Sequence, residues 1–514
     1  MKKIILPFLL TGSLMVGSCT KYLDVKPVGQ LIPSKVEELE NLLNNTNTLE
    51  NHFVDNNQGS FYAFLGDNLR ISDNQIKYLY TNTHPNVDRY AAYTFYHPYT
   101  DPNKPQWVWN NGVYRATALF NTVVDEVEKM GAGATELGKI ITAQAKAGRA
   151  WSYMVAGLSY GPMYNPNGSN DQRVIPYRVT GSPNTPNPEL ATTAQIMDLV
   201  EKDLKDALTA PAQVATPVRA NLAAVHGLLA QLYMFKRDWP KMSEHAETAW
   251  SLSLAQRASA DQLIYNYNQL YYREDPNASP TPGTDVEVSL ELMGPDNLLL
   301  QSTNREQLFY RTGAYGYNVY PSTEFINLFD PETDMRHKLF MLKALGYSTT
   351  VAGVKHDDGI QSFYYRDNKM IRSQGLTYPE VLLMKAEANA RLNQLGKALI
   401  DLNTLRKYRY KGTNTDLANG TTLNQDQLLH EILKERRREL PVGTFQRTLD
   451  LKRFVYDTGK PWSKTKIERT VAGKTYSANL DSKFYTLEIS NAIILLNPAW
   501  GLQTNDQAYL PVRN

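Results

Sequence analysis

Cys19 is the single cysteine in 514 residues, so its thiol has no disulfide partner in its own chain. Lys2 and Lys3, an apolar run from Ile4 to Val16, and the small residues Gly17 and Ser18 precede it. That layout is a secretory signal over residues 1–18, too short to span a bilayer as a mature helix. A second pattern with chemical content, Gly157-Leu158-Ser159-Tyr160-Gly161, matches the G-x-S-x-G of a hydrolase nucleophile elbow. That elbow needs a strand leading into the serine and a helix leaving it. Here helical periodicity leads in and Pro162 follows, so Ser159 is read as a helix end.

The rest of the catalytic inventory is thin. Eight His residues are scattered without H-E-x-x-H, and no glycine loop suited to phosphate is present. No catalytic residue, cofactor or metal site is assigned. Asp55 to Gly59 and His356 to Gly359 are rich in oxygen donors but lack the spacing of a calcium loop. Paired carboxylates for glycoside hydrolysis need only meet in space, which keeps a lipid-anchored hydrolase as an alternative. The unusual feature is 32 Tyr with 7 Trp. A tyrosine joins a flat apolar face to a hydroxyl, and sugar rings offer apolar faces with hydroxyls around them. Tyrosines cluster with Asn, Asp and Arg in two irregular stretches, which nominate Arg70, Asp73, Asn74, Tyr80, Tyr96, Tyr99, Arg311, Tyr315, Tyr317 and Tyr320 as ligand-binding residues. The competing reading of any one tyrosine is loop packing, and Trp107 and Trp109 are read as core.

Composition narrows the partners. A net charge of +2, from 54 basic and 52 acidic residues, gives no electrostatic case for nucleic acid. After Val16 no run approaches the roughly 20 apolar residues of a membrane-spanning helix.

The elements that position these residues are mostly helical. Trp109, Val113, Ala116, Phe120, Val123 and Val127 form one face of a long helix, and Ala143, Ala147, Trp151, Met154 and Leu158 form another. The second ends at Tyr160-Gly161-Pro162, where Gly161 is expected to take a left-handed cap. A Pro-, Asn- and Thr-rich connector runs from Ile175 to Pro188, and Ile196, Val200, Leu204 and Ala207 begin the next helix. Leu222, Val225, Leu229 and Leu232, a turn at Arg237-Asp238-Trp239, then Met242, Ala246 and Ala249 make a helix pair. The same grammar returns with Leu382, Ala386 and Ala390, a turn at Leu395-Gly396, then Ala398, Leu402 and Leu405. Pairs of about 34 residues with small residues at the crossing are the tetratricopeptide arrangement. Such pairs stack because neither buries its apolar face alone. Ser251 to Gln374 reads as a turn-rich insertion with short β-prone runs, laid over the scaffold.

The segments resemble, in order, a known family. Val16 to Cys19 is similar to a bacterial lipobox, with Val16 where Leu is commonest. Leu23-Asp24-x-x-Pro27, Trp109 with Tyr114 and Asn121, Arg149 to Pro162, Glu201-x-Asp203-Leu204-x-x-Ala207, and Asn497-Pro498 with Gln503, Asn505 and Tyr509 resemble motifs of the SusD/RagB family of outer-membrane lipoproteins. The most specific match is Ile432 to Leu440 (ILKERRREL), then Gly443, Arg447 and Asp450 to Arg453. Pro441, Val442 and Leu487-Glu488-Ile489 depart from the family's pattern. From its own residues, the charged cluster is read as a structural ion-pair network locking the last helix.

The resemblance implies a mainly α fold: a tetratricopeptide-like scaffold carrying a long irregular, loop-rich insertion with short β segments. It implies one body over 19–514: an N-terminal loop-rich segment (19–106), helical repeats (107–250), the insertion (251–376), further repeats (377–454) and a C-terminal segment (455–514). It also implies lipidation of Cys19, attachment to the outer membrane facing the exterior, and capture of an oligosaccharide for a SusC-like TonB-dependent transporter. The alternative within the family is a RagB-like member that captures peptides. The protein is expected not to be an enzyme.

Overall fold

The computed structural model of the chain describes residues 33–45, 61–81, 84, 86–104, 108–275, 289–295, 304–311, 320–364, 374–507 and 509. Cys19, the signal segment, Asp55 to Gly59, Trp107, Tyr315 and Tyr317 lie outside them. The N-terminal stretch contributes α1 (Val36–Leu43), a tight 3-10 turn (Phe61–Leu65), the two-residue strand β1 (Leu69–Arg70), a π-helical turn (Gln75–Leu79) and α2 (Val87–Tyr93). The long helices follow as α3 (Tyr114–Lys129) and α4 (Glu136–Tyr160). β2 (Arg173–Pro176) and β3 (Leu190–Thr192) pair across the connector, and α5 (Thr193–Asp206), α6 (Leu222–Lys236) and α7 (Trp239–Gln256) complete the first half.

Local chemistry explains the starts and stops. Thr192 and Gln195 form a reciprocal capping box on α5, and Thr135, Asn221 and Asp238 cap α4, α6 and α7 through their side chains. The periodicity beginning at Trp109 predicts one continuous helix, but Val108–Val113 is π-helical and α3 begins at Tyr114. Asn110, Asn111 and Gly112 are weak helix formers, and the turn widens there. Gly161 also differs from expectation: its φ is −120°, extended and not left-handed. A glycine is required because a Cβ would lie 2.7 Å from Val174 Cγ2 and 2.9 Å from the Gly157 carbonyl oxygen.

The insertion is a series of antiparallel two-stranded pairs. β4 (Tyr271–Asp275) pairs with β5 (Ser289–Met293). β6 (Gln307–Phe309) pairs with a later strand, and β7 (Tyr320–Pro321) returns to β1. After the short helices α8 (Thr323–Ile326) and α9 (Met335–Phe340), β8 (Met341–Leu345) pairs with β11 (Ile360–Tyr364), enclosing the hairpin of β9 (Ser348–Val351) and β10 (Val354–Asp357). β12 (Leu376–Thr377) is the partner of β6.

The second half repeats the helix pair as α10 (Tyr378–Arg391) and α11 (Leu395–Arg409), followed by α12 (Gln425–Glu439), α13 (Gln446–Phe454), the hairpin of β13 (Lys466–Val471) and β14 (Lys474–Asn479), and α14 (Asn491–Leu496). The two repeat turns share one device: Arg237 and Asn393 both take left-handed backbone, with φ of 59° and 58°. The second turn therefore lies at Asn393, and Leu395-Gly396 already belong to α11. α10 packs against α7, α11 and α12, joining the two halves through one helix. Small residues permit the close crossings, as at Gly148 of α4, which lies against the Phe120 ring of α3.

The charged motif of α12 is internal. Glu435, Arg436, Arg437, Arg438 and Glu439 are all buried. Arg336 reaches Glu435 at 2.6 Å and Glu439 at 3.0 Å, and Arg409 bridges Glu439 at 2.8 Å and Glu306 at 2.9 Å. Arg436 joins Glu380 at 3.2 Å to Asp450 at 2.9 Å. Arg453 donates to both oxygens of Glu387, at 2.5 and 2.9 Å, and to Asp450 at 2.8 Å. The predicted ion-pair network is present, and its partners come mostly from other elements.

Candidate glycan-contacting surface

Arg70 and Tyr320 are cross-strand partners in the β1–β7 pair, which sets the guanidinium 4.8 Å from the ring centroid. Arg70 Nη2 also donates to Gln361 Oε1 on β11. The Tyr320 hydroxyl donates to Asp358 Oδ2 at 3.1 Å and accepts from the Tyr347 amide at 2.5 Å. Burial raises its pKa, and the Asp358 carboxylate raises it further, so the phenol stays protonated. Asn74 Nδ2 donates to the other Asp358 oxygen at 2.8 Å. Asp358 thus ties the N-terminal segment to the end of the β9–β10 hairpin.

Beside this knot the π-helical turn, started by reciprocal hydrogen bonds between Ser72 and Gln75, presents Tyr78. Its ring stacks on His356 of β10, with centroids 4.3 Å apart and planes 29° apart. Both rings are half-buried. Half-buried Arg70, Asn74 and Gln361 stand near them, with exposed Asp73 on the flank, its carboxylate accepting from the Ala472 amide at 2.9 Å. A stacked pair of planes edged by amide and guanidinium groups suits a ring that is apolar on one face and hydroxylated at its rim.

The structure therefore brings Arg70, Asn74 and Tyr320 together, with Asp73 nearby. It departs from the sequence reading at Tyr80, Tyr99 and Arg311, which it encloses. Tyr80 meets His84 edge-on at 5.2 Å. The Tyr99 hydroxyl donates to the Phe484 carbonyl at 2.7 Å, and its ring faces a 60 Å³ cavity shared with Asp88, His97 and Glu488. Arg311 is 1 % exposed, donates to the carbonyls of Val218 and Tyr310, and covers the Phe309 ring at 3.9 Å. Tyr99 and Arg311 spend their polar ends on backbone carbonyls, and the Tyr80 hydroxyl is hydrogen-bonded with the Arg89 side chain. Tyr96 is half-buried against that core. Ser159 is fully buried at the end of α4, where its Oγ donates to the Val155 carbonyl at 2.8 Å.

The residues not nominated from sequence are Tyr78, His356, Asp358 and Gln361. Tyr78 stands two positions before a nominated tyrosine, which was the available signal. The other three belong to a hairpin almost 300 residues away, and only the fold brings them near. Among the described residues no helix is long and apolar enough to cross a membrane.

Comparison with known proteins agrees with this architecture. Residues 294–496 match the model of the SusD family, and residues 21–234 match a model described as starch-binding, associating with outer membrane. No curated protein sequence matches the chain significantly. A SusD superfamily protein from Bacteroides thetaiotaomicron superposes with a TM-score of 0.62 at 18% identity, covering 90% of this chain and 98% of its own. A SusD-like carbohydrate binding protein from Bacteroides vulgatus gives 0.54 at 18% identity, covering 90% and 97%. Surface glycan-binding protein A from Bacteroides uniformis gives 0.56 at 14% identity, covering 90% and 98%. With family models matching both halves and whole-length structural likeness between them, the chain belongs to the SusD/RagB family.

Proposed function

We propose that this protein is a lipid-anchored glycan-capture protein of the outer membrane, acylated at Cys19 and facing the exterior, that passes oligosaccharide to a SusC-like TonB-dependent transporter. The observation that carries this reading is the Tyr78–His356 stack beside Arg70, Asn74 and Gln361. It combines an aromatic platform with fixed hydrogen-bonding groups on loops held by a rigid helical frame. The carbohydrate-binding names of two structural relatives support the ligand class, and the outer-membrane description of the family model supports the location.

The test is affinity electrophoresis of the full chain against plant, host and microbial glycans, with a pull-down from outer membranes. Retardation by one glycan class is expected, reduced about two- to tenfold in affinity by Tyr78→Ala, since stacking on one ring is worth about 0.5–1.5 kcal/mol. A large TonB-dependent transporter is expected in the pull-down. Flat mobility across the panel with binding of oligopeptides instead moves the assignment to peptide capture. Turnover of polysaccharide by the purified protein moves it to hydrolysis.

A further inference from the structure

A second cleft, of 330 Å³, opens where residues 213–217, the end of α7, the turn before β6 and the start of α10 meet. It shares no lining residue with the Tyr78–His356 surface. Its buried wall is Asn221, Asn304, Gln307 and Tyr378, and Arg257 and Arg305 stand toward solvent. Two of the amide oxygens are already engaged: Asn221 Oδ1 caps α6 by accepting from the Ala224 amide at 2.8 Å, and Asn304 Oδ1 accepts from the Glu306 amide at 2.9 Å. By contrast Asn304 Nδ2 and both terminal atoms of Gln307, which have almost no accessible surface, have no hydrogen-bond partner among the described residues. Buried amides almost always have partners, so this cleft holds hydrogen-bonding capacity that the protein itself does not use.

The lining constrains the ligand. Among the described residues it contains no carboxylate and its charged members are two arginines, so a cation is disfavoured and a carboxylate favoured. Arg305 is fixed by donation to the Asp261 carbonyl at 2.9 Å and by its place over the Tyr265 ring at 4.4 Å, while Arg257 is exposed. An amide side chain both donates and accepts, as a sugar hydroxyl does, and the Tyr378 ring supplies an apolar face. The volume falls at the lower end of the roughly 300–1,000 Å³ range of small-ligand pockets, enough for one or two sugar rings. We propose that this cleft binds a uronic acid, with its hydroxyls on Asn304 and Gln307 and its carboxylate toward Arg257.

The test is isothermal titration of the full chain with sodium galacturonate, sodium glucuronate, digalacturonate and, as the neutral control, glucose. Saturable binding of at least one uronate is expected, about tenfold or more tighter than glucose, as loss of one charge-assisted contact predicts. Arg257→Ala, at an exposed position that leaves the fold intact, is expected to remove that preference, and Gln307→Leu weakens uronate and glucose together. The proposal is overturned if no uronate saturates up to about 10 mM, if glucose binds equally well, if Arg257→Ala has no effect, or if Tyr78→Ala abolishes the binding. The last outcome would place the uronate on the aromatic surface, and it leaves the capture reading standing.

Discussion

Replacing Glu387 by Gln tests whether the buried ions of the second half hold the fold as pairs. Glu387 is wholly buried and receives Arg453 at 2.5 and 2.9 Å and Arg391 at 2.9 Å. Burial by itself would raise the pKa of this carboxyl, but the two guanidiniums outweigh it and hold the value at about 2, against 4.5 for a free glutamate. That difference corresponds to about 3 kcal/mol of native-state stabilisation. Removing one member of a buried pair costs about 3–5 kcal/mol, because the partner charge stays buried without compensation. Unfolding entropy of about 2.1 cal/mol/K per residue amounts to about 1 kcal/mol/K for a chain of this length, so the midpoint of thermal unfolding should fall by about 3–5 °C at pH 7. The folded value lies below the unfolded one, so the contribution is complete above about pH 4.5 and disappears as pH falls toward 2. The gap between wild type and Glu387→Gln should therefore be flat from about pH 6 to 8 and narrow below about 4.5. Glu387→Leu with Arg453→Met removes both charges, while Arg391 keeps Asp457 at 2.9 Å and Asp450 keeps Arg436. The double variant should lose less than the sum of its two single variants. Differential scanning calorimetry across that pH range measures all three. A midpoint within about 1 °C of wild type for Glu387→Gln, or strict additivity in the double variant, would refute the reasoning.

Asp88 makes the opposite prediction. Burial lifts its pKa from 3.8 to about 6, so the folded protein carries a penalty of up to about 3 kcal/mol that is complete above about pH 6 and relieved as pH falls toward 4. Asp88→Asn should raise the unfolding midpoint at pH 7.5 and leave it unchanged at pH 4, read in the same calorimeter. At Gly148 a Cβ would stand 2.3 Å from Phe120 Cζ, so Gly148→Ala should force α3 and α4 apart and cost about 1–3 kcal/mol, while Gly148→Ala with Phe120→Leu should recover part of it. Equal stability of the single variant would mean that the crossing is looser than described.

The scaffold was legible because a helix writes its buried face at intervals of three and four. Leu222 to Ala249 and Leu382 to Leu405 state their pairing in sequence, and the left-handed residues between them sit at the predicted breaks or within two residues of them. The charged run Glu435 to Glu439 was legible as ionic, since five charges on one helix next to apolar Ile432 and Leu433 need partners. Its partners were not: Arg336, Arg409 and Glu380 lie elsewhere along the chain, and nothing in the sequence marks them as its partners. The candidate surface rests on a region and on three residues nominated from composition, Arg70, Asn74 and Tyr320, which the fold brings together; whether a tyrosine packs or protrudes is settled by its neighbours in the fold, and Tyr80 and Tyr99 are enclosed. Tyr78 owes its place to a π-helical turn, and His356 owes its place to a hairpin whose relation to the N-terminal segment is set by Asp358. Neither is a property of local sequence.

The buried ion network also orders events during synthesis. Glu306, Glu380 and Glu387 leave the ribosome long before Arg409, Arg436 and Arg453 exist to meet them. An unfinished chain holds carboxylates whose place is the interior but whose counterions have yet to be made, and closing the core around them would bury bare charge. All three pairs can be complete only once the chain has been made through Arg453.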